Sequence, residues 1–262
     1  MNDKLQILDR LLGGYGRLLV AYSGGVDSAF LLARANSVLG AQCLGVIADS
    51  PSLARDEFTS AIRLAEQIGA RVEVIRTNEF SNPEYIANSP ERCYFCKAEL
   101  FTVMERLAAD RGFPVLAYGE NADDMRQVRP GRRAAAEFEV AAPLREAGLT
   151  KADIREASHA IGLPTAEKPA SPCLSSRIPH GTPVTREALG RVERGEAALR
   201  ALGFRIFRVR DHGRLARIEL AQEEFDSYDD PGIRARIESA LLAAGYEQIE
   251  RDAKPYGAGR AT

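Results

Sequence analysis

Four short apolar runs mark the first half of the chain: residues 17–22 (Arg17-Leu18-Leu19-Val20-Ala21-Tyr22), 43–48, 71–76 and 115–118. Each has the length of a buried strand rather than of a helix. Helical periodicity fills the intervals. Residues 53–68 carry Ile62, Ala65 and Ile68 on one side and stop at Gly69, and residues 97–110 place Leu100, Val103, Met104 and Leu107 at helical spacing. This alternation predicts an α/β fold, a parallel sheet with helices on both faces, whose ligands bind beyond the carboxyl ends of the strands.

The pattern changes beyond residue 150. Thr150-Lys151-Ala152-Asp153 reads as a capped helix start, and that helix ends at Gly162-Leu163-Pro164. Residues 166–183, rich in Pro, Ser and Gly, predict a loop joining two domains. After it come a helix over 185–202, strands over 205–210 and 215–220 around a turn at Asp211-His212-Gly213, a helix over 231–244 and a strand near 248–249. These make a smaller α+β unit. The expected division is 1–168 for the first domain and 169–262 for the joining loop with the second, with no internal repeat or coiled coil.

Composition narrows the function classes. A chain of 262 residues accommodates two domains, and 45% hydrophobic with 27% charged residues is the balance of a soluble globular protein. The net charge of -2 argues against a stable nucleic-acid partner or an anionic membrane surface, so any basic site is local. No apolar run is long enough to span a bilayer, and Met1-Asn2-Asp3-Lys4 lacks the apolar core of a secretion signal, so a cytoplasmic protein is expected. Four cysteines in such a chain point to thiol, metal or redox use rather than to structural disulfides.

The densest chemistry lies at Ser23-Gly24-Gly25-Val26-Asp27-Ser28, between the first strand and an apolar helix. Two glycines let backbone approach an anion, a helix start presents unpaired N–H groups, and Ser23 and Ser28 add hydroxyls, so the segment reads as a phosphate cradle. The Lys of a Walker-type loop is missing, and Gly14-Tyr15-Gly16 has Leu19 where a dinucleotide fingerprint needs glycine. Asp49-Ser50 and Gly119-Glu120-Asn121 follow two other strands and are expected to line the same crevice. Asp123 and Asp124 lie just beyond, within reach of a metal or simply solvated. Arg129 is a partner for Asp124 or for a phosphate.

Cys93-Tyr94-Phe95-Cys96 sits at an expected loop-to-helix junction, and Cys173 in the joining loop. Three thiolates fit a [4Fe–4S] cluster with one open iron. A zinc site completed by His180 or His212, a redox dithiol with a separate reactive Cys173, and unrelated buried thiols of the kind expected for Cys43 remain alternatives.

The glycine segment resembles the PP-loop of ATP pyrophosphatases, S-G-G-x-D-S. Together with residues 168–182 (Lys168-Pro169-Ala170-Ser171-Pro172-Cys173-Leu174-Ser175-Ser176-Arg177 through His180 to Thr182), Arg129-Pro130-Gly131, Arg208-Val209-Arg210 and Gly259-Arg260, it gives the chain a resemblance to the LarE family over about residues 17–260. The resemblance implies a Rossmann-like PP-loop domain and an ATP-dependent sulfur transferase. A carboxylate of pyridinium-3,5-dicarboxylate mononucleotide would attack ATP, pyrophosphate would leave, and sulfur would then displace AMP to give a thiocarboxylate for a nickel-pincer cofactor.

On the same resemblance Ser23, Gly24, Gly25, Asp27, Ser28, Asp49, Ser50 and Gly119 would bind ATP, with Asp27 on Mg2+. Arg177, His180, Arg208, Arg210 and Arg260 would hold the mononucleotide, and Cys173, Asp27, Ser176 and Arg177 would carry the chemistry. Cys93, Cys96 and Cys173 match the three-cysteine branch, in which a [4Fe–4S] cluster passes on sulfide from an external donor. In the single-turnover branch the sacrificial cysteine is expected one place earlier, at Pro172. Related proteins form symmetric homo-oligomers. Rival readings are sacrificial use of Cys173, a tRNA-thiolation enzyme, an ammonia-using amide synthetase and a zinc-stabilised nucleotide sensor. The tRNA reading needs a basic RNA surface, and the amide synthetase needs no thiols.

Overall fold

The computed structural model describes residues 2–126 and 130–256. In chain order its helices are α1 (Asn2–Tyr15), α2 (Val26–Leu39), α3 (Arg55–Gln67), α4 (Pro83–Ile86), α5 (Arg92–Arg111), α6 (Pro130–Glu137), α7 (Pro143–Glu146), α8 (Lys151–Ala160), α9 (Arg186–Ala201), α10 (Gln222–Phe225) and α11 (Pro231–Ala243). The strands are β1 (Leu18–Ala21), β2 (Cys43–Asp49), β3 (Val72–Arg76), β4 (Val115–Tyr118), β5 (Phe207–His212), β6 (Leu215–Leu220) and β7 (Gln248–Arg251).

Two compact units result. One comprises the chain up to Tyr85 together with Pro90–Ser171; the other comprises Ile86–Ser89 and the chain from Pro172 onward. The first is built on a parallel sheet of order β3-β2-β1-β4. Alternate residues of β1 feed opposite faces: Leu18 and Val20 pack with α1, α2, α3 and α8, whereas Leu19 packs with Phe101, Met104 and Ala108 of α5 and Ala134 and Ala135 of α6. The α/β layering read from the strand–helix alternation is therefore the fold of this unit. From β1 the chain winds through β2 to β3 on one side, and β4 lies on the other. The carboxyl ends of β1 and β4 form a switch point, where sheets of this class bind ligands.

The second unit has a sheet of order β5-β6-β7, with β5 antiparallel and β7 parallel to β6. Phe207 and Val209 of β5 and Ala216, Ile218 and Leu220 of β6 pack against Ile237 and Leu241 of α11. Two boundaries differ from the sequence expectation. Strand β5 starts at Phe207 rather than Arg205, because the Glu224 carboxylate accepts the amides of Arg205 (2.6 Å) and Ile206 (3.0 Å) in place of a ladder partner. Helix α5 starts at Arg92, just after Pro90, so the cysteine pair lies inside its first turns.

Candidate active site

The glycine segment occupies the β1–α2 junction at the switch point. Gly24 has φ +71°, and a Cβ there would sit 2.5 Å from the Ala61 Cβ of α3, so this position requires glycine on both conformational and steric grounds. Gly25 caps α2 without any side-chain hydrogen bond, which leaves the helix start to a ligand. The Ser28 hydroxyl is shared among the Ser23 amide (3.2 Å), the Ser23 hydroxyl (3.0 Å) and the Gly25 carbonyl (3.2 Å), and so braces the loop. Gly119, at the end of β4, packs against the same helix start: a Cβ there would meet the Ser28 nitrogen at 2.8 Å.

Asp27 has two unlike oxygens. Its Oδ2 accepts from the Lys151 ammonium at 2.8 Å; its Oδ1 is buried and has no hydrogen-bond partner. Lys151 is the first residue of α8, and its backbone N–H donates to Asp123 Oδ2 at 2.9 Å. The α8 start is fixed by a reciprocal cap between Thr150 and Asp153. Asp153 also accepts from Lys4 at 2.6 Å, and these hydrogen bonds, that of Lys4 first, hold its carboxyl down at about 2. Asp124 accepts from the Asn121 amide at 3.2 Å. After β2, Asp49 pairs with Arg55 at 2.5 Å, and the buried Ser50 hydroxyl donates to Glu79 and accepts from the Ser52 amide. Both residues stand at the carboxyl end of the strand next to β1, with their side chains committed to bracing that turn.

All four cysteines are reduced thiols. Cys93 and Cys173 are exposed, Cys96 is half-buried, and Cys43 is buried. Cys93 and Cys96 lie three apart on α5, on one helix face, in the first unit; Cys173 belongs to the second. Among the described residues no three His, Cys, Asp or Glu side chains are gathered as a metal site.

In the second unit the segment after Cys173 forms a short turn, Leu174–Arg177. Arg177 is buried rather than offered as an open cation. Its guanidinium makes a paired bond to Glu196 (2.8 and 3.0 Å) and donates to the carbonyls of Pro172 (2.6 Å) and Cys173 (3.2 Å) and to the Ser176 hydroxyl (2.9 Å). It thus clamps the Cys173 turn onto α9. Arg208 and Arg210 share the face of β5 opposite the core, as their two-residue spacing predicts. Arg210 pairs with Glu219 (2.9 Å) and donates to the Ser176 carbonyl (2.7 Å). Arg208 stacks over Tyr256 at 4.8 Å, and burial, then the charge of Arg177, pushes its pKa down. Three guanidiniums therefore converge beneath the cysteine turn, two of them paired to the buried carboxylates of Glu196 and Glu219. The His180 ring approaches the Asn88 carbonyl at 3.2 Å. Arg129 and Arg260 lie outside the described residues.

No protein-family model matches the chain. An uncharacterized protein of Synechocystis is 40% identical over 99% of this chain and 97% of its own length. Pyridinium-3,5-bisthiocarboxylic acid mononucleotide synthase of Lactiplantibacillus plantarum is 33% identical over 93% of this chain and 88% of its own length. The chain belongs to the LarE family. A further similarity, 26% identity over 56% of this chain, is to a component of the glutamine-hydrolyzing GMP synthase of Methanococcus maripaludis and fits the PP-loop ATP pyrophosphatase superfamily. This LarE-family chain is thus an ATP-dependent sulfur-transferring enzyme.

Three residues that brace these regions of the LarE-family chain are not marked by the sequence alone. Lys151 was legible only as part of a helix start, because 124 residues separate it from Asp27. Glu196 sits mid-helix, fully buried, where it fixes Arg177 and accepts the Val209 amide at 3.2 Å. Asn88 is buried in the left-handed region (φ 55°), and its amide donates to the carbonyls of Ile178, Pro179 and Thr182 (2.8 to 3.3 Å). The one available signal was that Asn tolerates this conformation.

Proposed function

We propose that the enzyme adenylates a carboxylate of pyridinium-3,5-dicarboxylate mononucleotide and replaces the activated oxygen with sulfur. The carboxylate oxygen attacks the α-phosphorus of ATP and pyrophosphate departs. Sulfur then attacks the acyl carbon, the carbonyl reforms and AMP leaves with its oxygen. Adenylation is the necessary first step because a carboxylate oxygen is a poor leaving group. In this reading the amides and hydroxyls of Ser23, Gly24, Gly25 and Ser28 hold the triphosphate at the α2 start, where the helix dipole favours negative charge. Lys151 turns from Asp27 to the departing pyrophosphate. Arg208 and Arg210 take the phosphate of the mononucleotide, while Arg177 keeps the Cys173 turn in place.

This reading implies two bound groups. The buried, partnerless Oδ1 of Asp27 suits Mg2+, a cation that takes carboxylate and phosphate oxygens. The assignment of Cys93, Cys96 and Cys173 to a [4Fe–4S] cluster, held by three irons, rests on the family resemblance and on the softness of their thiols; among the described residues the three are not gathered. When bound, such a cluster supplies the sulfide to be transferred.

The observation that carries this reading is the Asp27 carboxylate, half paired to Lys151 and half unpartnered, inside a glycine cradle at the sheet's switch point. Supplying ATP and Mg2+ with the pyridinium mononucleotide, with tRNA or with neither, and measuring pyrophosphate, tests it. Release that requires the mononucleotide supports the proposal; release that requires tRNA, or neither compound, refutes it.

A further inference from the structure

Lys168 touches the glycine loop and lies five residues before Cys173 in the chain. We propose that it is a positioning residue that couples nucleotide occupancy of the glycine loop to the chain segment bearing Cys173; this rests on the reading of that loop as an ATP site.

The Lys168 ammonium donates to the Gly24 carbonyl at 3.1 Å and to Glu57 Oε2, in the first turn of α3, at 2.5 Å. Its side chain is only 20% exposed. Its own carbonyl accepts from Arg155 of α8 at 3.0 Å, and Arg155 also holds the Ala166 carbonyl. Main chain and side chain of this one residue are thereby tied to three separate elements of the first unit.

The contact with Gly24 has a geometric consequence. In a planar trans peptide the C=O and the next N–H point in opposite directions. Holding the Gly24 carbonyl toward Lys168 therefore turns the Gly25 N–H away from it, at the uncapped start of α2. A triphosphate that draws on this amide pulls on the same peptide plane, and so on Lys168.

The other consequence lies along the chain. Only Pro169-Ala170-Ser171-Pro172 separates Lys168 from Cys173. Both prolines fix φ, which limits how far this short connector can absorb a displacement of Lys168. Lys168 also keeps Glu57 neutralised beside a site that has to accept a polyanion.

The test is the alkylation rate of Cys173 by iodoacetamide, read by mass spectrometry of its peptide in the full-length protein prepared free of iron so that Cys173 is a free thiol, with and without ATP and Mg2+. ATP affinity is measured in parallel by calorimetry. In the parent, saturating ATP shifts the rate by about fivefold or more, the lower range of ordinary site–site coupling. Lys168→Met binds ATP more weakly and, at saturation, shows less than about a twofold shift, below that range; Lys168→Arg restores the shift. A second variant, Pro169→Gly with Pro172→Gly, keeps the lysine and the ATP affinity but loses the shift. A full shift in Lys168→Met or in the double-glycine variant overturns the coupling, as does a parent that binds ATP without any shift. A parent that does not bind ATP overturns the functional reading beneath it.

Discussion

Asp27 and Lys151 set the residue-scale chemistry. Asp27 has one carboxylate oxygen paired to Lys151 and the other without a partner, the arrangement on which its proposed role beside Mg2+ rests. Asp27→Ala is expected to abolish ATP-dependent pyrophosphate release; normal release would remove Asp27 from the site. Lys151→Met should raise the KM for ATP by about tenfold, the weight of one charge-assisted hydrogen bond, and leave the mononucleotide requirement unchanged. Gly24, Gly25 and Asp27 were readable from the sequence because the loop's geometry is local, two glycines between a strand and a helix. Lys151 was not, because only the fold brings α8 to the α2 start. Arg177 was readable as a cation near Cys173, whereas its role as a buried clamp depends on Glu196, which the intervening loop brings into register.

At the scale of elements, the α8 start and the α9–β5 contact do the positioning. The reciprocal cap of Thr150 and Asp153 holds the helix that presents Lys151. Thr150→Ala should cost about 1 kcal/mol of stability in a denaturant melt. Asp153 adds a pH dependence. Its folded pKa, about 2, lies below the ordinary 3.8, so its contribution is present above the unfolded value and is lost as pH falls from 3.8 toward 2. Asp153→Asn should remove that part of the acid dependence and leave stability flatter across this window. Glu196 joins α9, β5 and the cysteine turn from a buried position. Glu196→Ala leaves a buried guanidinium without its partner and should destabilise the protein by about 3–5 kcal/mol. The strand and helix types were legible because hydrophobic period is a backbone property. The β5 boundary was not, since the amides of Arg205 and Ile206 go to a side chain, Glu224, nineteen and eighteen residues away. Helix α1 likewise shows its stripe of Leu5, Leu8, Leu11 and Leu12 only once its packing against α2 is known.

For the whole molecule, one unit carries the glycine loop at the end of its parallel sheet, and the other carries Arg208 and Arg210 on β5 and Cys173 at the turn before α9. The segment Ile86–Ser89 joins the second unit because Asn88 satisfies three carbonyls of residues 178–182, a link about ninety residues long that no local pattern announces. The cysteines are also sorted by the fold. Burial pushes the Cys43 thiol up to about 12, so it carries no thiolate at neutral pH, whereas Cys173 is exposed. Cys173→Ala should stop sulfur delivery while pyrophosphate release continues; delivery at the parental rate would exclude Cys173. The most direct measurement incubates anaerobically prepared protein with ATP, Mg2+, the pyridinium dicarboxylate mononucleotide and sulfide, and follows product mass and pyrophosphate together. The account predicts sulfur replacing carboxylate oxygen in step with pyrophosphate, in molar excess over a protein whose Cys173 stays intact. A product without sulfur, or a single sulfur per chain drawn from Cys173, would contradict it.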